Sequence, residues 1–273
     1  MDTGSGSRVL IADDMRVNRM ILASLLASNG VTSDLAQSGA ECIELCRTNL
    51  YDLILLDQHL TDLSGVDTFF HLKKIFSELG KEIPVICHTA ENSDEKKLLY
   101  QTAGFAGVLI KPMDPAKLSQ ILMTWLPEGK EGGITALSDR TDIQKEPELL
   151  PDWLRQVPEL DPESGLDHCE TAEDYIGALT VFYSSISEKS AEIEDFYKKK
   201  DYGMYSLRLH SLKSTAGLIG ADKLADLASC LEQAGKHKDL RLIREKHMTL
   251  ITQYRAFFNS LAPLSEDRTD EDA

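Results

Sequence analysis

The sequence contains no apolar run near the ~20 residues that a helix needs to cross a bilayer. Its first residues, Met1-Asp2-Thr3-Gly4-Ser5-Gly6-Ser7, hold no basic stretch leading into an apolar one. Neither a membrane span nor a secretory leader is expected, and a cytosolic location is. Cysteine is sparse: Cys42, Cys46, Cys87, Cys169 and Cys230 form an odd set without a C-x-x-C pair, which excludes a disulfide framework and suits a reducing compartment. Cys42 and Cys46 share a helix face, but no neighbouring His or Cys completes a zinc site, so they read as packing. Positive charge is also short, with 29 Lys and Arg against 45 Asp and Glu, a net charge of -16. That imbalance argues against nucleic acid and anionic membranes as partners, since both are polyanions, and favours folded proteins. No Gly-rich loop runs into Lys-Ser or Lys-Thr, so a P-loop nucleotide site is not expected. Internal repeats and low-complexity tracts are absent as well.

What is present divides in two. At 273 residues, 42% of them hydrophobic, the chain has the length and apolar content for two cores. Residues 8–126 alternate short apolar runs with amphipathic stretches, the pattern of a parallel sheet covered by helices. The runs Val9-Leu10-Ile11-Ala12, Leu53-Ile54-Leu55-Leu56, Pro84-Val85-Ile86-Cys87 and Gly107-Val108-Leu109-Ile110 are continuous enough to be buried on both faces, and residues 32–36 form a weaker strand. Helical patterns over 17–28, 40–48, 66–79, 94–103 and 115–125 complete five β/α units, several closed by Gly30, Gly80 or Gly104. The expectation is an α/β fold with a five-stranded parallel sheet. Pro and Gly among charged residues then mark a linker over 127–152, although Leu149-Leu150-Pro151-Asp152-Trp153-Leu154 is apolar enough to dock on a neighbouring domain. Beyond Thr171 apolar positions recur every three to four residues over 175–197, 204–219, 224–234 and 240–261, which predicts an all-α four-helix bundle within 153–264. Residues 1–7 and the acidic stretch 265–273 read as disordered ends.

In an open parallel sheet ligands bind beyond the carboxyl ends of the strands. There the sequence places Asp13-Asp14 after the first run, Asp57 after the third, Thr89 after the fourth and Lys111-Pro112 after the fifth. Three carboxylates with ordinary pKa values of about 3.9 would repel one another in a shared pocket. A hard dication removes that conflict, and Mg²⁺ fits an oxygen-only ligand set better than Zn²⁺ does. With a metal in place, Asp57 can act as the nucleophile toward a phosphoryl donor, Lys111 can offset charge on the transferred oxygens, and Thr89 can donate its hydroxyl.

Over residues 8–126 these motifs resemble response-regulator receiver domains: the acidic pair Asp13-Asp14, Asp57 followed by Gly65, Thr89-Ala90, and the stretch from Ala103-Gly104 to Lys111-Pro112. The resemblance implies a flavodoxin-like fold, phosphorylation on Asp57, and Mg²⁺ held by Asp14, Asp57 and the backbone carbonyl of His59, with Asp13 in support. Two positions depart from the family. Val108 stands where an aromatic switch residue is usual, which implies an altered conformational switch, and Thr61 stands where a Pro usually stiffens the loop. His59 and Glu91 occupy positions at which the family tunes the lifetime of the aspartyl phosphate.

The second candidate lies in the helical half. Leu209, Leu212, Ala216 and Ile219 mark a buried stripe, and His210, about 200° around the helix from Leu212, is expected on the solvated outer face. Lys213, Ser214 and Gly217 share that face, a cation beside two small residues. A neutral imidazole there can attack phosphorus, and the Lys213 ammonium can neutralise the incoming oxygens. The segment His210-Ser211-Leu212-Lys213-Ser214-Thr215-Ala216, followed by Gly220-Ala221, resembles histidine phosphotransfer domains, with Ser214 where Gly is frequent. Gly165-Leu166 and the helix through Tyr175 and Phe182 look like that family's opening segment. His71, His88, His168, His237 and His247 are read as structural or surface residues.

Together the two resemblances imply a phosphorelay protein that carries phosphate on Asp57 and His210 and has no kinase domain of its own. Its expected partners are a sensor histidine kinase and a downstream receiver domain. Two other readings remain open at this point: a binding regulator in which Asp57 phosphorylation gates docking without transfer, and a metal-dependent phosphoesterase.

Overall fold

The computed structural model describes residues 6–126 and 150–266. Most of the predicted linker and acidic tail, and the first five residues, lie outside the described residues. The chain divides into two compact units on either side of the boundary between Gln144 and Lys145.

The first unit is a five-stranded, fully parallel sheet in the order β2-β1-β3-β4-β5, formed by β1 (Arg8–Ala12), β2 (Thr32–Ala36), β3 (Leu53–Asp57), β4 (Val85–Thr89) and β5 (Gly107–Ile110). Five helices connect and follow the strands: α1 (Arg16–Ser28), α2 (Gly39–Thr48), α3 (Gly65–Leu79), α4 (Asp94–Ala103) and α5 (Pro115–Trp125). Every residue of β3 and β4 is buried, which is why those runs read as continuous apolar text. β2 read weakly because it is an edge strand whose residues are mostly exposed or half-buried. The helices begin where polar side chains cap them: Ser38, Ser64 and Ser93 each accept a hydrogen bond from the backbone N–H three residues on. Strand order reverses between β1 and β3, so the crevice opens where β1 delivers Asp13 and Asp14 and β3 delivers Asp57.

The second unit is helical. A 3₁₀ turn (Leu154–Gln156) and α6 (Pro162–Leu166) precede four long helices, α7 (Ala172–Lys199), α8 (Tyr202–Leu218), α9 (Asp222–His237) and α10 (Leu240–Ser260), and α11 (Pro263–Glu266) follows them. Packing runs in a ring, α7 on α8, α8 on α9, α9 on α10 and α10 on α7, the contact pattern of a four-helix bundle. Its core holds the fully buried rings of Tyr175, Phe182, Tyr205 and Tyr254. α8 and α9 begin before the periodic stretches 204–219 and 224–234, and α9 also runs past the end of its own. Gly203 and Gly235 lie inside α8 and α9, while Lys200 and Lys238 take the left-handed turns that end α7 and α9. Gly235 belongs within its helix because a β-carbon there would strike the Ser206 hydroxyl of α8.

Candidate functional sites

The acidic pocket is built from four strand ends. Asp13 is fully buried and its carboxylate accepts from the Met15 backbone N–H at 2.8 Å and from Asn18 Nδ2 at 3.0 Å. Asp57, 2% exposed, closes β3, and its Oδ1 accepts from the His59 backbone N–H at 3.2 Å. Lys111 Nζ, also buried, donates to Asp13 Oδ2 and to Asp57 Oδ2, both at 2.7 Å. Ligand oxygens of Asp13, Asp14 and Asp57 lie within 4.8 Å of one another. Thr89, at the end of β4, is fully buried, and its Oγ1 accepts from the Glu91 backbone N–H at 3.1 Å. His59 Nε2 lies 3.9 Å from Glu91 Oε1, so the two positions after Asp57 and Thr89 face each other.

The loop after Asp57 is held without the proline that Thr61 replaces. Asp62 accepts from the backbone N–H groups of Gly39 and Ala40, both at 2.8 Å, and so pins the loop to the start of α2. Gly65 is required at the start of α3, since a β-carbon there would sit 2.5 Å from the Asp57 carbonyl oxygen and 2.7 Å from Gln58 Cα. Val108 is half-buried at the edge of the core. A tyrosine, Tyr100 of α4, is instead fully buried nearby in the fold, and its hydroxyl donates to Glu91 Oε2 at 3.1 Å.

The electrostatics follow from two buried carboxyl groups, Asp13 and Asp57, sharing the buried Lys111 ammonium beside the half-buried Asp14. Burial pushes Asp57 up to about 8, assisted by Asp13 and Asp14 and opposed by Lys111. Burial works against charge on Asp13 too, but Lys111, with His88 and the Asn18 amide beside it, holds that carboxyl below its ordinary value. Lys111 is held above its ordinary value, because Asp13 and Asp57 overcome the cost of burying the ammonium. His88, in β4 beside this cluster with Nδ1 3.9 Å from Asp13 Oδ2, is depressed to about 3 by burial and by Lys111 and is neutral at pH 7.

The histidine site spans two helices. His210 is 3% exposed, so its expected solvated position is corrected: it is a buried residue. The one-stripe reading of α8 fails because Ser206, Ser211, Ser214 and Thr215 are buried along with the apolar stripe, and Glu232 of α9 lies against the imidazole. Glu232, 1% exposed, meets His210 Nδ1 at 2.9 Å, Lys213 Nζ at 2.9 Å and Lys236 Nζ at 2.6 Å. Burial alone would raise its pKa, yet the hydrogen bonds from His210, Lys236 and Lys213 hold it far below the usual carboxylate range. Glu232 is therefore an anion and can only accept. Its contact with Nδ1 fixes the imidazole proton on Nδ1, which leaves the nucleophilic lone pair on Nε2.

The predicted site residues thus separate into two groups: Asp13, Asp14, Asp57, His59, Thr89 and Lys111 at the strand ends, and His210 and Lys213 on α8. Glu232, Lys236 and Asn18 were not anticipated. A signal existed for two of them. Glu232 falls four residues after Ala228 and eight after Leu224 in the buried stripe of α9, and Asn18 falls three before Ile21 in that of α1. Each is a polar residue written into an apolar row.

Residues 9–123 match the family model of the response regulator receiver domain, and residues 177–257 match that of the Hpt domain. The chain joins a receiver domain to an Hpt domain. Both are phosphotransfer modules, and neither is a kinase domain. Across 232 residues the receiver–Hpt chain is 27% identical to the aerobic respiration control sensor protein ArcB of Escherichia coli, covering 82% of this chain and 27% of that protein. It is 31% identical over 118 residues to the sensor histidine kinase AruS of Pseudomonas aeruginosa, covering 43% of this chain and 12% of that protein. The chain therefore spans well under half the length of these relatives. Among solved structures, a co-crystal of the Saccharomyces cerevisiae phosphotransfer protein Ypd1 with the receiver domain of Ssk1 matches at 26% identity and a TM-score of 0.42, covering 44% of this chain and 88% of that one. A two-component response regulator from Clostridium difficile matches at 28% identity and a TM-score of 0.41, covering 44% and 95%.

Proposed function

We propose that this chain is a two-site phosphorelay protein in which Asp57 accepts a phosphoryl group from a partner's phosphohistidine and His210 takes part in a second transfer. The observation that carries this reading is the presence, in one chain, of an aspartate bonded to a buried lysine among further carboxylates and of a histidine whose nucleophilic nitrogen is set by Glu232. In the first step a carboxylate oxygen of Asp57 attacks phosphorus, the O–P bond forms as the donor's N–P bond breaks, and the donor imidazole leaves with the electron pair. Lys111 faces the charge on the transferred oxygens, and the Thr89 hydroxyl donates to them.

The donor set fits Mg²⁺: three carboxylates of Asp13, Asp14 and Asp57 crowd one ammonium, and burial, assisted by the other two carboxylates, raises Asp57. Asp14, Asp57 and the His59 carbonyl would hold the ion with Asp13 in support, and its chemistry there is charge neutralisation of the phosphoryl oxygens. The same pocket would serve the receiver's own phosphorylation from small donors and its hydrolysis. In the second transfer Nε2 of His210 attacks the aspartyl phosphate, the acyl O–P bond breaks, and the aspartate departs as a carboxylate. Glu232 retains the Nδ1 proton and offsets the positive charge on the ring, while Lys213 and Lys236 border the site. The partners this implies are a sensor histidine kinase and a receiver domain, met in the cytoplasm.

The test uses acetyl phosphate with Mg²⁺ on wild type, Asp57→Asn and His210→Gln, separating alkali-labile acyl phosphate from acid-labile phosphohistidine. Phosphohistidine that needs both residues establishes transfer. Acyl phosphate alone, indifferent to His210→Gln, would replace the relay by gating, and steady release of phosphate from unrelated phosphoesters would replace it by hydrolysis.

A further inference from the structure

Four buried serine and threonine residues line α8, and three of them behave alike. Ser206 donates to the carbonyl of Tyr202 at 2.8 Å, Ser211 to that of Leu207 at 3.4 Å and Thr215 to that of Ser211 at 3.1 Å. Each spends its proton on the carbonyl four residues back, the ordinary fate of a hydroxyl inside a helix. Ser214 does not. It is 5% exposed, and its Oγ has no hydrogen-bond partner among the described residues. A buried hydroxyl left in that state costs free energy unless a ligand satisfies it.

The position of Ser214 says which ligand. It stands four residues after His210, so the two side chains share a face, and Cα–Cβ bonds tilt toward the helix N-terminus, which leans Ser214 back over the turn that carries His210. Three residues further on, Gly217 has open space where a side chain would be, leaving that face unobstructed. The charged groups gathered at His210 are two lysines, Lys213 and Lys236, and Glu232, which already holds the imidazole and both lysines. An anion with several acceptor oxygens, delivered next to the ring, would complete this arrangement.

We propose that Ser214 is a phosphoryl ligand of the histidine site: its hydroxyl donates to an oxygen of the phosphoryl group carried on Nε2 of His210, and so favours the phosphohistidine over the aspartyl phosphate. The inference rests on the phosphorelay reading above and adds a residue to it. Ser214 changes no bond in the transfer; it contacts the transferred group and stabilises it where it lands.

The experiment follows full-length wild type, Ser214→Ala and Ser214→Thr with acetyl phosphate and Mg²⁺, measuring the ratio of phosphohistidine to acyl phosphate at equilibrium, the lifetime of the phosphohistidine, and thermal stability of the unphosphorylated chain. Ser214→Ala is expected to lower the ratio about tenfold, the size of one hydrogen bond to a charged group, and to leave thermal stability near that of wild type. Ser214→Thr, which keeps a hydroxyl, is expected to restore the ratio to within about threefold. A Ser214→Ala ratio and lifetime within twofold of wild type would overturn the proposal, and so would a loss matched by an equal loss of stability in both variants. Absence of any phosphohistidine in wild type would instead overturn the relay reading itself, a result separable from the others because it does not involve Ser214.

Discussion

The two sites are near inversions of each other. In the receiver three carboxylates crowd one ammonium, whereas in the Hpt domain two ammonium groups and an imidazole surround one carboxylate. The difference follows from the nucleophile. A carboxylate attacking a phosphoryl group brings negative charge to negative charge, so its site needs cations, and three carboxylates outnumber the ammonium that meets them. A neutral imidazole becomes positive as it attacks, and what it needs is an anion behind the ring to hold its proton. Metal dependence should therefore belong to the aspartate site alone.

That contrast can be tested at descending scale. Lys111→Met removes the ammonium that bridges Asp13 and Asp57, and urea unfolding in Mg²⁺-free buffer should show the receiver destabilised by about 3 kcal/mol or more, since two buried carboxylates lose their shared partner; an unchanged midpoint would mean that the ion pairs contribute nothing. Mg²⁺ at a hundredfold excess over its Kd should stabilise the wild-type receiver by about 2.7 kcal/mol. Asp14→Asn should reduce that gain, and the Hpt unfolding transition should not respond to Mg²⁺ at all. At the histidine site Glu232→Gln keeps an acceptor but loses the charge, and rapid-quench measurement of phosphate arriving on His210 should show roughly a tenfold slower transfer, within the range typical of removing one positioned electrostatic partner.

The same carboxylate predicts an acid limb. The folded pKa of Glu232 is depressed, so its stabilising contribution is present above the unfolded value of about 4.3 and is lost as pH falls below it toward the folded value. Unfolding of the Hpt domain followed from about pH 5 to about pH 2 should lose less stability in Glu232→Gln than in wild type. The smallest effect sets the baseline: Glu44→Gln breaks an exposed ion pair with Arg47 and should change the unfolding free energy by less than about 0.5 kcal/mol.

The receiver site was the more legible of the two because a parallel sheet converts position in the text into position in space. Any residue just past an apolar run reaches the same rim, so Asp13, Asp57, Thr89 and Lys111 could be grouped across about a hundred residues without knowing the packing. No such conversion exists between two helices. The register of α9 against α8 is set by side-chain fit, including the close approach at Gly235, and periodicity does not report it. Hence His210 was found by its local pattern while its exposure was misjudged and Glu232 was missed. In both units the overlooked polar partners, Asn18 and Glu232, sit within apolar stripes, where a lone polar residue costs free energy unless something meets it.

The segment ahead of α7 has a bearing on how this module can be inherited. The recognisable Hpt pattern starts at residue 177, yet the bundle's lower corner is closed by residues that precede it: the Asp161 backbone N–H donates to the Gly220 carbonyl at 2.8 Å, Gly165 packs against the Tyr175 ring, and Leu154 and Leu166 are buried. A recombination event or an engineered fusion that joined a foreign sequence at the start of the recognisable pattern would strip this cover and leave an apolar face open to a second copy. The unit that evolution can shuffle intact is longer than the unit that its sequence signature marks.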